Sequence, residues 1–142
     1  MLRRLAVTVL LVALAARLTA LWLALGHPDR LLEDLFLDSA QYVEAAARIR
    51  AGEGPTDGPY LLSPLYPYLL AIFPGIEPGS APLALRIVQA LIGSLTCVLV
   101  AITAMRISGP RAGWIAGLFA ATLGPAIHYD LRILVAGPLA FC

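Results

Sequence analysis

Two polar constellations stand out from an otherwise apolar chain. One is Asp38 with its acidic neighbours, and the other is His128-Tyr129-Asp130 followed by Arg132. A carboxylate can take the proton of a reacting hydroxyl as a general base. A guanidinium can steady a departing phosphate through charge-assisted hydrogen bonds. At a membrane surface walled by helices, those groups suit an anionic substrate carried in lipid. Each residue also has a plain structural explanation. Asp38 stands where a helix N-cap is expected, a role worth about 1 kcal/mol. Arg17 interrupts an apolar run, where a charge costs roughly 2.5–3.5 kcal/mol to insert. It must face a bundle interior or a wet cavity, and either pairs with an acid or binds ligand. Arg86 opens a later apolar run and reads first as a snorkelling anchor, then as a phosphate ligand. Tyr42, Tyr66 and Tyr129 are interface anchors or surfaces for a sugar. A lone His128 is more often structural than a ligand.

Several chemistries are excluded or lack a signal. No glycine-rich phosphate loop, zinc spacing or nucleophile motif is present, so no metal-ligand set is assigned. Cys97 and Cys142 lie in apolar runs, without ligand spacing or a disulfide partner, and read as buried small hydrophobes. A net charge of +1 gives no reason to expect a nucleic-acid partner.

The elements that must hold these residues follow from the distribution of apolar side chains. The 142 residues are 60% hydrophobic and 13% charged, with a mean hydropathy of +0.84. A soluble core of that size cannot hide so much apolar surface, so lipid is the expected solvent. Residues 1–25 predict a first membrane helix, preceded by Arg3 and Arg4 and long enough for a hydrocarbon core of roughly 30 Å. A secretory signal peptide begins in the same way, but Arg17 and the apolar segments that follow favour an anchor. Residues 26–82 hold eight of the nine acids and most of the prolines, so they cannot span. Within them, Ser39–Ala51 predicts a helix with Tyr42, Ala46 and Ile49 on one face and a stop at Gly52. Leu61–Phe73 is too short to cross and aromatic at its start, as an interfacial helix would be. Residues 83–107 predict a second span and 108–128 a third, and 129–142 the start of a fourth that stops at about half its needed length. The expected fold is an all-α polytopic membrane bundle with a large extracytoplasmic first loop, and the chain is expected to be an N-terminal fragment. Arg3, Arg4, Arg106 and Arg111 fall on one side, which makes that side cytoplasmic and the acidic loop external.

The residues Leu37-Asp38-Ser39-Ala40-Gln41-Tyr42 and Ser63-Pro64-Leu65-Tyr66-Pro67-Tyr68-Leu69-Leu70-Ala71 add a further signal. So do Leu85-Arg86-Ile87-Val88-Gln89-Ala90-Leu91-Ile92-Gly93 and Gly124-Pro125-Ala126-Ile127-His128-Tyr129-Asp130. Their order resembles the N-terminal part of the GT-C membrane glycosyltransferases, nearest the bacterial branch of protein O-mannosyltransferases and aminoarabinose transferases (the family 39-like enzymes). The resemblance covers nearly the whole chain but a third or less of such an enzyme. It implies an inverting transfer of sugar from a polyprenyl-phosphate donor to a protein or glycolipid acceptor, at the outer face of a bacterial cytoplasmic membrane. Asp38 matches the acid that serves as base or helps hold a divalent metal, and no other cofactor is implied. Arg17, Tyr42, Tyr66, Arg86, His128, Tyr129, Asp130 and Arg132 are then the candidate substrate-binding residues. Two departures are visible. Ser39 stands where many relatives carry a second acid, and Arg132 stands near where relatives have an acidic residue. Two rivals predict different continuations. A cell-envelope scaffold subunit would use the loop only for docking, and a transporter would place polar residues near mid-membrane.

Overall fold

The computed structural model describes residues 1–26, 38–54, 63, 65–75 and 83–131, and among them the only regular secondary structure is helical. In chain order the helices are α1 (Leu2–Leu25), α2 (Asp38–Arg50), α3 (Leu65–Ala71), α4 (Leu83–Ser108), α5 (Pro110–Thr122) and α6 (Gly124–Leu131). The expected start of a fourth span falls on residues 129–142, of which 132–142 lie outside the described residues.

Two helices are long and apolar enough to cross a membrane: α1 with 24 residues and α4 with 26. Each buries only one stripe. In α1 this is Leu5, Val9, Ala13, Arg17, Leu21 and Ala24, a spacing that keeps every member on one face. The opposite face leaves Leu11, Trp22 and Leu23 exposed, an apolar surface suited to a cover of lipid or of another protein.

The third helix of the bundle is wedged between the first two because its contact stripe is almost free of side chains. Gly113, Gly117 and Ala121 are its buried residues. A Cβ at Gly117 would stand 2.6 Å from the Ala101 Cβ and 2.8 Å from Val9 Cγ2, and one at Gly113 would stand 2.9 Å from the Ala101 carbonyl. Small residues at four-residue spacing allow such close approach. The contacts also fix direction. Val9, Ala101 and Gly117 share one level, whereas Arg17 lies level with Gly93, so α1 and α5 both run antiparallel to α4. Arg3, Arg4, Arg106 and Arg111, all exposed, therefore gather at one end of the bundle.

The expected third span over 108–128 is not one helix. Gly109, with φ of 87°, makes the turn after α4, and Pro110 opens α5. Leu123 then adopts an extended conformation, with ψ of 104°. Pro125 causes the break, since it has no N–H for the Ala121 carbonyl and its ring would strike that carbonyl. At 13 residues, α5 rises only about 20 Å, short of the roughly 30 Å hydrocarbon core. The run His128-Tyr129-Asp130, expected to end the span, lies instead inside α6.

The two short helices before α4 form their own small core. α2 covers the expected helix with a shift of one residue and ends in a Schellman motif. There Gly52, at φ of 83°, donates to the Ile49 carbonyl and Glu53 to the Arg48 carbonyl. Tyr42, Val43 and Ala46 of α2 pack on Tyr66 and Leu70 of α3 and on Leu85 of α4. α3 is seven residues rather than the expected thirteen. Its exit is held by Arg50, whose Nη1 donates to the Phe73 carbonyl at 2.7 Å.

Candidate functional site

At the end of the bundle away from the four arginines, three polar ties join the elements. The deepest is an ion pair. Arg17, on the buried stripe of α1 and 2% exposed, donates from Nε and Nη2 to the same Asp130 carboxylate oxygen, at 2.8 and 2.6 Å. Its Nη1 donates to the Ala13 carbonyl one turn back, and Nη2 also approaches the Cys97 sulfur at 3.6 Å. An isolated guanidinium at this depth would carry the full desolvation cost, so it is held as one half of a neutral pair.

Space for the pair comes from Gly93 on α4. A Cβ there would overlap the Asp130 carboxylate and stand 2.9 Å from Arg17 Nε. The break at Leu123 supplies the other condition. By restarting the helix as α6 it turns Asp130 inward, while His128 and Tyr129 stay exposed with their rings edge-to-face at 5.8 Å.

The second tie is Arg86, one turn inside α4 and 4% exposed. Its Nη1 donates to the Leu131 carbonyl at 2.6 Å. Two arginines from different helices thus grip consecutive residues of α6. The carbonyl lies at the helix C-terminus, where backbone acceptors lack intrahelical donors and favour a cation.

The third tie anchors the helix that begins with Asp38. Gln89, one turn after Arg86, donates from Nε2 to the Tyr66 hydroxyl at 2.8 Å. Tyr66 meets Tyr42 edge-to-face, with ring centroids 4.8 Å apart. Burial pushes the Tyr66 phenol well above its usual range, the neighbouring Tyr42 adds to this, and Arg86 opposes it. Tyr66 therefore stays protonated and serves as a neutral link between α3 and α4.

The candidate residues thus divide. Arg17 and Asp130 meet each other, Arg86 holds the end of α6, and Tyr42 and Tyr66 form one aromatic unit. Arg86 does not have the exposure of a snorkelling anchor, because its guanidinium is turned inward to α6. His128 and Tyr129 face outward and join none of these contacts. Asp38 is the first residue of α2, but its side chain lies outside the described atoms, as does all of Arg132. Cys97 is buried in the apolar core of α1, α4 and α5, as its apolar context suggested. Asp130 stands two residues from Arg132 in the sequence, yet its partner is Arg17, 113 residues away. Gln89 was not singled out as a functional residue, and its signal was its place one turn beyond Arg86.

Among the described residues, no group of three or more His, Cys, Asp or Glu is placed to hold a metal ion. No protein-family model, curated protein or solved structure matches this chain.

Proposed function

We propose that the chain forms the N-terminal part of an inverting membrane glycosyltransferase. It would act at the outer face of a bacterial cytoplasmic membrane, with its N-terminus in the cytoplasm. The observation that carries this reading is the convergence at one end of the bundle. There α2, which starts at Asp38, is fastened through Tyr42, Tyr66 and Gln89 to the same stretch of α4 that holds Arg86 and, one turn on, accommodates the Arg17–Asp130 pair. The arginine-rich end lies opposite, which is the arrangement expected if that end is cytoplasmic.

In this reading the donor is a sugar on a polyprenyl phosphate and the acceptor a hydroxyl of a protein or glycolipid. The acceptor oxygen attacks the anomeric carbon from the face opposite the phosphate. The bond to the phosphate oxygen breaks, and polyprenyl phosphate leaves with the electron pair. Asp38 takes the acceptor proton. Arg17 and Arg86 are occupied with α6, so we give them a positioning role. Arg132, directly after α6, is the guanidinium that steadies the leaving phosphate. His128 and Tyr129 on the exposed side of α6 would line the approach of the sugar, and the buried Tyr42–Tyr66 unit would hold α2 in place behind it.

The test is Asp38→Asn in the full-length protein. Sugar transfer should fall to background while thermal stability in detergent stays at the wild-type value. Wild-type turnover in that variant would remove Asp38 from the reaction and, with it, the proposed mechanism.

A further inference from the structure

We propose that the arginine-rich end of the bundle is a binding site for an anionic phospholipid, with an acyl chain lying along the outer face of α4. The inference is independent of the transferase reading, because it concerns the opposite end of the molecule.

Two separate features meet there. The first is charge. Arg3, Arg4, Arg106 and Arg111 are exposed at that end. Among the described residues the acids are Asp38, Glu44, Glu53 and Asp130, all in the elements gathered at the other end. The N-termini of α1 and α5 point the same way and add their positive ends, against the one negative end of the α4 C-terminus beside Arg106. Four like charges with no acid between them among the described residues repel one another unless anions sit among them, and lipid phosphates supply such anions at a membrane surface.

The second feature is a shallow apolar groove of about 420 Å³ on α4, lined by Thr96, Leu99, Val100, Thr103, Ala104 and Ile107. These residues occupy a face different from the Gly93, Cys97 and Ala101 stripe that meets α1 and α5. The groove runs roughly 16 Å along the helix. Its polar lining is muted, since Thr96 Oγ1 donates to the Ile92 carbonyl at 3.1 Å. It ends at Ile107, immediately after Arg106 and beside the turn that leads to Arg111. A shallow apolar face whose last residue, Ile107, adjoins Arg106 in sequence and stands one turn before Arg111 matches a phospholipid with a net negative headgroup. It offers a zwitterionic lipid no equal reward.

The full chain in non-ionic micelles allows a direct test. Trp22→Phe and Trp114→Phe remove both tryptophans, and Ile107→Trp places one reporter at the foot of the groove. Phosphatidylglycerol and phosphatidylcholine with brominated acyl chains are titrated separately, and quenching of the indole is read. Phosphatidylglycerol should reach half-quenching at a roughly 25-fold lower mole fraction. Arg106→Gln with Arg111→Gln should erase the preference, at roughly a factor of five for each arginine removed. Arg106→Lys with Arg111→Lys should keep it, which separates lost charge from lost folding. Equal quenching by the two lipids would overturn the proposal. So would a preference that survives the double glutamine variant, or one lost only with Arg3→Gln and Arg4→Gln.

Discussion

Removing the Asp130 carboxylate should be the most damaging single change at the end of the bundle opposite the four arginines. In Asp130→Ala, Arg17 keeps its place on the buried stripe of α1 but loses the oxygen that accepts from both Nε and Nη2. Only the Ala13 carbonyl and the Cys97 sulfur remain as its acceptors. Breaking a buried pair by deleting one partner costs about 3–5 kcal/mol in soluble proteins. Polar contacts between membrane helices average nearer 0.6 kcal/mol, because the unfolded chain in lipid finds other partners. Here the orphaned group is a full charge with two lost hydrogen bonds, so we expect a loss of about 3 kcal/mol. Arg17→Met should cost less, since the carboxylate left behind can protonate and shed its charge. The double variant Arg17→Met with Asp130→Ala removes both charges and should recover to within about 1.5 kcal/mol of the wild type. The assay is equilibrium unfolding in mixed micelles with a denaturing detergent, followed by circular dichroism. The cycle should report a coupling of at least ~2 kcal/mol. A single variant within about 0.5 kcal/mol of the wild type, or strictly additive losses, would refute the reasoning.

Other outcomes follow from the same contacts. Gly93→Ala pushes a methyl into the Asp130 carboxylate and should cost roughly 1–3 kcal/mol. In the Asp130→Ala background it should cost clearly less, which the same unfolding assay checks. Gln89→Leu removes the donor to Tyr66 and should cost about 1 kcal/mol. If α2 positions the base, this variant should also lower sugar turnover with little change in donor binding. The raised pKa of Tyr66 carries a sign. Below the unfolded value of about 10 both states hold the proton and the contribution is complete. As pH rises above it, the unfolded chain ionises first and stability falls. Tyr66→Phe should flatten that alkaline loss in a series of thermal melts, and an unchanged slope would exclude Tyr66 as its source.

Helix content and the first polar break were legible because they rest on local pattern. The apolar length of α1 and α4, the stop at Gly52 and the inward face of Tyr42 and Ala46 can all be read within a few residues. The break inside the expected third span is not legible from hydropathy, which does not register a lost backbone hydrogen bond. Ala112 to Ile127 is apolar throughout, yet Pro125 removes one N–H and ends α5 at Thr122. The pairing of Arg17 with Asp130 was out of reach for a related reason. Both residues were noticed as charges in apolar surroundings, but their meeting depends on Gly93 leaving room and on the break at Leu123 turning α6. Neither condition can be weighed without the packing of three helices. Arg86 shows the same limit. Its position at a span entry suggests a water-facing anchor, whereas its partner is the Leu131 carbonyl at the end of α6.

Donor consumption is the most direct check on the central claim. The full-length protein in proteoliposomes is given a panel of radiolabelled polyprenyl-phosphate sugars together with membrane protein and glycolipid acceptors. One labelled sugar should pass to an acceptor, with inverted anomeric configuration and release of an equal amount of polyprenyl phosphate. A folded protein that leaves every donor in the panel intact would contradict the account.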